Sequence, residues 1–60
     1  MVKLTINLTD EQALALAQFL KRAGLSDYRS LSANKEEAYL MVGAGEAIRE
    51  ELRQGGFEPR

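Results

Sequence analysis

The side chains that most often carry chemistry are scarce in this 60-residue chain. It has no His and no Cys. An imidazole general base, a thiolate nucleophile and any Cys- or His-ligated metal site are therefore excluded. Two carboxylate pairs remain, Glu36-Glu37 and Glu50-Glu51. Adjacent helical residues diverge by about 100°, so neither pair converges on one substrate, and capping and solvation account for both. No catalytic residue, metal or cofactor is expected. Three sets of residues can still recognise a partner. Lys3, Thr5 and Asn7 alternate with apolar neighbours, Ser32 and Asn34 precede a helical run, and Asp27-Tyr28-Arg29 and Phe57 offer aromatic and cationic anchors.

The first set belongs to the clearest local pattern. Val2, Leu4, Ile6 and Leu8 alternate with Lys3, Thr5 and Asn7, a period of two that predicts a half-buried strand over about 2–8. Thr9-Asp10-Glu11-Gln12 then reads as a capping box, with Leu8 placed to staple onto Ala13. A helix is expected over about 10–23, its core face built from Ala13, Leu16, Ala17, Phe19, Leu20 and Ala23. Lys21 and Arg22 suit its last turn. Gly24 is expected in the left-handed conformation beyond it, with Leu25 folded back on Leu20.

Residues 26–33 form a polar connection in which Tyr28–Leu31 could supply a second short strand. Asn34 and Glu37 make a second capping box, and a helix over about 35–53 stops at Gly55-Gly56. Residues 55–60 form a C-terminal tail, with Phe57 as an anchor and Pro59 forbidding continuation. The centre of that helix, residues 38–45, carries no charge, which predicts burial on all sides. Gly43 and Gly45 each cost about 1 kcal/mol in a helix interior. They mark either a break or a close helix crossing. A phosphate loop is disfavoured, because no strand precedes them and no Gly-Lys-Ser/Thr follows.

At 45% hydrophobic and 28% charged residues the chain reads as one small globular domain. A domain of this size buries only about 60% of its unfolded surface. Without disulfides its remaining means of stabilisation is a second chain. A lone strand also needs a backbone partner. The expected fold is α+β and mainly helical: a strand-helix-helix protomer in an intertwined homodimer with an intermolecular two-stranded antiparallel ribbon. Pairing with Tyr28–Leu31 inside one chain is the alternative. No apolar run reaches membrane-spanning length, so a soluble, cytoplasmic protein without membrane association is expected. Eight Lys/Arg against nine Asp/Glu leave a net charge of -1 and no basic stripe, which argues against strong nonspecific nucleic-acid binding.

The order of strand, capped helix, connection and second helix over Val2 to Leu52 resembles the ribbon-helix-helix family. That resemblance implies a DNA-binding regulator. Lys3, Thr5 and Asn7 would read base edges from the major groove, and the amides at Ser32 to Asn34 would hold a phosphate. The chain departs from the family in its long link from Gly24 to Asn34 and in its faint acidity. Leu8 to Ala13, Ala17 to Arg22, Asp27 to Arg29, Glu37 to Tyr39 and Gly56 to Arg60 are also similar to short uncharacterised proteins carried on bacterial plasmids and other mobile elements. This second resemblance implies an accessory role without an activity. Two functions are thus expected of a small non-enzymatic accessory protein. One is a ribbon-helix-helix-like DNA-binding regulator. The alternative is a protein-interaction module using Tyr28, Arg29 and Phe57 and binding no DNA.

Overall fold

A computed structural model describes residues 1–58 as an extended arm followed by three helices: α1 (Asp10–Arg22), α2 (Leu25–Leu31) and α3 (Lys35–Gln54). There is no strand among the described residues. The expected strand-helix-helix protomer and its two-stranded ribbon are thereby overturned. Residues 1–9 run as an arm, and every one of them is exposed. Alternation specifies which residues share a face, but a strand also needs a ladder partner, and the segment expected to offer one inside the chain folds as α2.

The start of α1 forms as its residue types dictate. Thr9 Oγ1 accepts from the Gln12 N–H at 3.1 Å, and Gln12 Oε1 accepts from the Thr9 N–H at 3.0 Å, which satisfies two otherwise orphaned donors. The end of α1 differs from expectation. Ala23 is extended and its N–H donates to the Phe19 carbonyl at 2.9 Å. Gly24 is also extended, at φ -102°, so it does not adopt the left-handed form. It opens α2 instead. Asp27 Oδ2 accepts from the Gly24 N–H at 2.8 Å, and the Gly24 carbonyl accepts from the Asp27 and Tyr28 N–H groups. This local bonding makes Tyr28–Leu31, the alternative second strand of the sequence reading, part of a helical turn. Leu25, expected to fold back on Leu20, is 47% exposed.

At α3 the Asn34 side chain accepts from the Glu37 N–H at 2.8 Å, while the Glu37 carboxylate takes the Ala33 N–H at 3.1 Å rather than that of the cap residue. The helix passes through Gly43 and Gly45 without a break. It ends in a Schellman motif. The Phe57 N–H donates to the Leu52 carbonyl at 2.8 Å, the Gly56 N–H donates to the Arg53 carbonyl at 3.0 Å, and Gly56 has φ +95°. The expected stop at Gly55-Gly56 therefore has a specific geometry. The role expected of Pro59 lies outside the described residues.

Packing is centred on α3, which contacts both α1 and α2. Among the described residues the core consists of Ala13, Ala17, Leu20, Ala38 and Gly45, and no large side chain is fully buried. Phe19, expected in the core, is 60% exposed. The Cα radius of gyration is 12.2 Å, against roughly 10.4 Å for a compact chain of this length.

Candidate interaction surface

The residues singled out for recognition occupy three separate places. Lys3, Thr5 and Asn7 lie along the arm, exposed, and their apolar neighbours Val2, Leu4 and Ile6 are exposed as well. The arm therefore does not present one polar face above one buried face. Exposure falls from 83% at Val2 to 41% at Leu8, as the arm approaches a groove shared with α1 and the end of α3. Ile6, Leu8, Leu16, Ile48, Leu52 and Phe57 line that groove. Phe57 is half-buried there, folded back by the Schellman turn.

Ser32 and Asn34 flank the junction between α2 and α3. Ser32 Oγ donates to the Arg29 carbonyl at 2.9 Å, and Asn34 is the cap of α3. Three of the amides around them are bonded within the chain: Ser32 N–H to the Arg29 carbonyl, Ala33 N–H to the Glu37 carboxylate, Glu37 N–H to Asn34. A carboxylate of the chain itself thus sits where the resemblance would place a phosphate.

Tyr28 and Arg29 separate in role. Tyr28 is half-buried, with its phenol lying over Gly45 and beside Leu20. Arg29 is exposed, and its guanidinium donates to Ser32 Oγ at 3.4 Å. The Asp27 carboxylate instead caps α2 through the Gly24 N–H. Between α1 and α2 lies an open groove of about 710 Å³, whose lining includes Phe19, Ala23, Leu31, Arg22 and Asp27.

The feature that residue-by-residue motif reading missed is a surface. On α3, Leu40, Gly43, Ala44 and Ala47 follow helical i, i+3, i+4, i+7 spacing, and all four are exposed. This stripe lies opposite the side bearing Ala38 and Gly45, and Leu40 is 74% exposed. The uncharged run in residues 38–45 had signalled a covered helix. Within one chain only one side of it is covered.

The charged end of α3 is occupied by local pairs. The Arg53 guanidinium donates to both oxygens of Glu50, one at 2.6 Å, and Gln54 Nε2 donates to Glu50 at 3.3 Å. Those hydrogen bonds, the one from Arg53 first, hold the Glu50 carboxyl below its usual range. The Glu50 partner in turn raises Arg53. Arg49 and Glu46 form a looser pair at 3.5 Å. Among the described residues no group of three acidic side chains is placed to hold a metal ion, and no helix is long and apolar enough to cross a membrane.

No curated protein and no solved structure matches this chain. A family model described as "Family of unknown function (DUF7706)" matches residues 1–60, and the chain belongs to that family.

Proposed function

We propose that this small protein is a non-enzymatic interaction module that works by docking apolar surface onto protein. One observation carries the reading. Its accessible surface is 5130 Å², whereas a compact monomer of this mass exposes roughly 3,900 Å². The excess of about 1,200 Å² exceeds the roughly 800 Å² that one partner contributes to a standard interface. Much of the exposed surface is apolar, with Val2, Leu4, Ile6, Phe19, Leu31 and Leu40 each more than half exposed.

The DNA-binding alternative has lost its scaffold. Base reading by Lys3, Thr5 and Asn7 relied on a ribbon to hold them at fixed spacing, and the Ser32, Ala33 and Glu37 amides are bonded internally. A protein contact of this kind tolerates salt, whereas phosphate contacts weaken steeply with it. The test is thermal unfolding followed by circular dichroism from 5 to 500 µM chain, at low and high salt, with and without duplex DNA. The interaction reading expects melting that sharpens and rises with chain concentration and is indifferent to DNA. Stabilisation by DNA that salt abolishes overturns it.

A further inference from the structure

We propose that the groove between α1 and α2 receives the N-terminal arm of a second copy of this chain, whose own groove receives the first copy's arm in return. This rests on the interaction reading and names its partner and its surface. The groove has a volume of about 710 Å³ and an apolar lining of Ala15, Phe19, Ala23 and Leu31. Phe19 is 60% exposed and Leu31 80% exposed. Within one chain the arm lies elsewhere. Ile6 and Leu8 enter the separate groove with Leu52 and Phe57, and among the described residues none from the arm lines the groove between α1 and α2. One molecule therefore leaves open both an apolar strip, Val2 and Leu4 with most of Ile6, and an apolar groove.

The strip and the groove agree in pitch, charge and area. Alternate residues of an extended chain recur about every 6.6 Å, which is the repeat of Val2, Leu4 and Ile6. Ala15, Phe19 and Ala23 stand four residues apart on α1 and recur about every 6 Å. The two rows can interdigitate, because the small side chains of Ala15 and Ala23 leave room on either side of the Phe19 ring. Residues 1–9 carry Lys3 and no acidic side chain, whereas residues 10–60 carry seven basic and nine acidic ones. Lys3 sits between Val2 and Leu4, and Asp27 is the acidic residue of the groove lining. The basic residue there, Arg22, donates to Gln18 Oε1 at 2.8 Å. The surplus surface of about 1,200 Å² is carried mainly by the arm, Phe19 and Leu31, the surfaces that the exchange covers. It is above the roughly 800 Å² that one partner contributes to a standard interface. A two-fold axis covers both arms and both grooves in one closed dimer. Each arm lies against helices, so no strand pairing is involved.

Sedimentation velocity on the full chain between 5 and 500 µM tests this. The expected species has twice the 6.7 kDa chain mass. Leu4→Asp on the arm and Phe19→Glu in the groove should each raise the dimer dissociation constant at least about 100-fold, a change near 2.7 kcal/mol. Glu is a better helix former than Phe, and Phe19 is exposed, so Phe19→Glu should keep the helical circular dichroism signal of the separated chain. Loss of mass would then not report unfolding. The chain has no cysteine, so single thiols can be placed at will. A chain carrying Leu4→Cys, mixed with one carrying Ala23→Cys, should give a disulfide-linked heterodimer under mild oxidation. Ala47→Cys, on the outward face of α3, should not replace Ala23→Cys. A dimer that survives both Leu4→Asp and Phe19→Glu, or cross-linking through Ala47→Cys as readily as through Ala23→Cys, overturns the arm exchange. A monomer at every concentration also overturns it. None of these results touches the interaction reading, which falls instead to stabilisation by DNA that salt abolishes.

Discussion

The Tyr28 phenol occupies the space that a side chain at Gly45 would need. This single contact ties together all three helices, because the same glycine faces Leu20 of α1, at 3.4 Å from a Cβ position, and Tyr28 belongs to α2. In a chain whose core is otherwise Ala13, Ala17, Leu20 and Ala38, an aromatic ring laid on bare backbone supplies contact area that small side chains cannot.

Gly45→Ala should therefore destabilise the fold by roughly 1–2 kcal/mol despite the better helix propensity of alanine. The overlap has to be relieved by displacing the ring, and overpacking of this kind costs about 1–3 kcal/mol. Tyr28→Phe removes the overlapping oxygen, so the Gly45→Ala cost should fall in that background. A double-mutant cycle by urea unfolding checks it. Equal costs in the two backgrounds would show that the ring and the glycine are not coupled.

The two helix caps should differ in consequence. Thr9→Ala removes a reciprocal pair of bonds at the start of α1, and about 1 kcal/mol of stability should go with it. Asn34→Ala removes the bond to the Glu37 N–H but leaves Glu37 holding the Ala33 N–H. The junction should then stay closed while α3 loses a similar amount. Amide exchange should rise at Gln12 in the first variant and at Glu37, but not Ala33, in the second.

Helices α1 and α3 were legible because their signals are local. A capping box, acidic first turns and a glycine stop each act within one turn of the residues that carry them. The arm was misread because alternation reports a face and not a partner. The link was misread for a related reason. Nothing in Asp27-Tyr28-Arg29 alone reveals that Asp27 will bond back to Gly24, and that bond decides between strand and helix. Of the recognition residues, Tyr28 and Phe57 were legible as packing anchors. Gly43 and Gly45 look identical in sequence, and only the position of Tyr28 tells the buried glycine from the open one.

Gly56 is the one described residue with positive φ, and this conformation closes the Schellman turn that directs Phe57 toward Leu52. Gly56→Ala should cost about 1 kcal/mol from left-handed strain. Phe57→Ala should cost more, up to about 3 kcal/mol, by removing a half-buried ring from the groove with Ile6 and Leu8. The arm should respond to Phe57→Ala as well. Faster amide exchange or proteolysis at residues 6–8 is expected, and an arm indifferent to Phe57 would show that the groove does not hold it.

The Glu50–Arg53 pair gives the chain an acid-sensitive end. Hydrogen bonds from Arg53 and Gln54 lower the Glu50 pKa in the folded state. The unfolded chain therefore binds the proton more readily, and the pair contributes stability that is present above the ordinary carboxylate value. That contribution is lost as pH falls through the lowered folded value. Both side chains are solvated, so the contribution is small and screened by salt. Arg53→Gln should return the Glu50 titration toward its ordinary value by carboxyl-detected NMR and flatten the acid limb of the stability profile. An unchanged Glu50 titration in that variant would assign the shift to Gln54 instead.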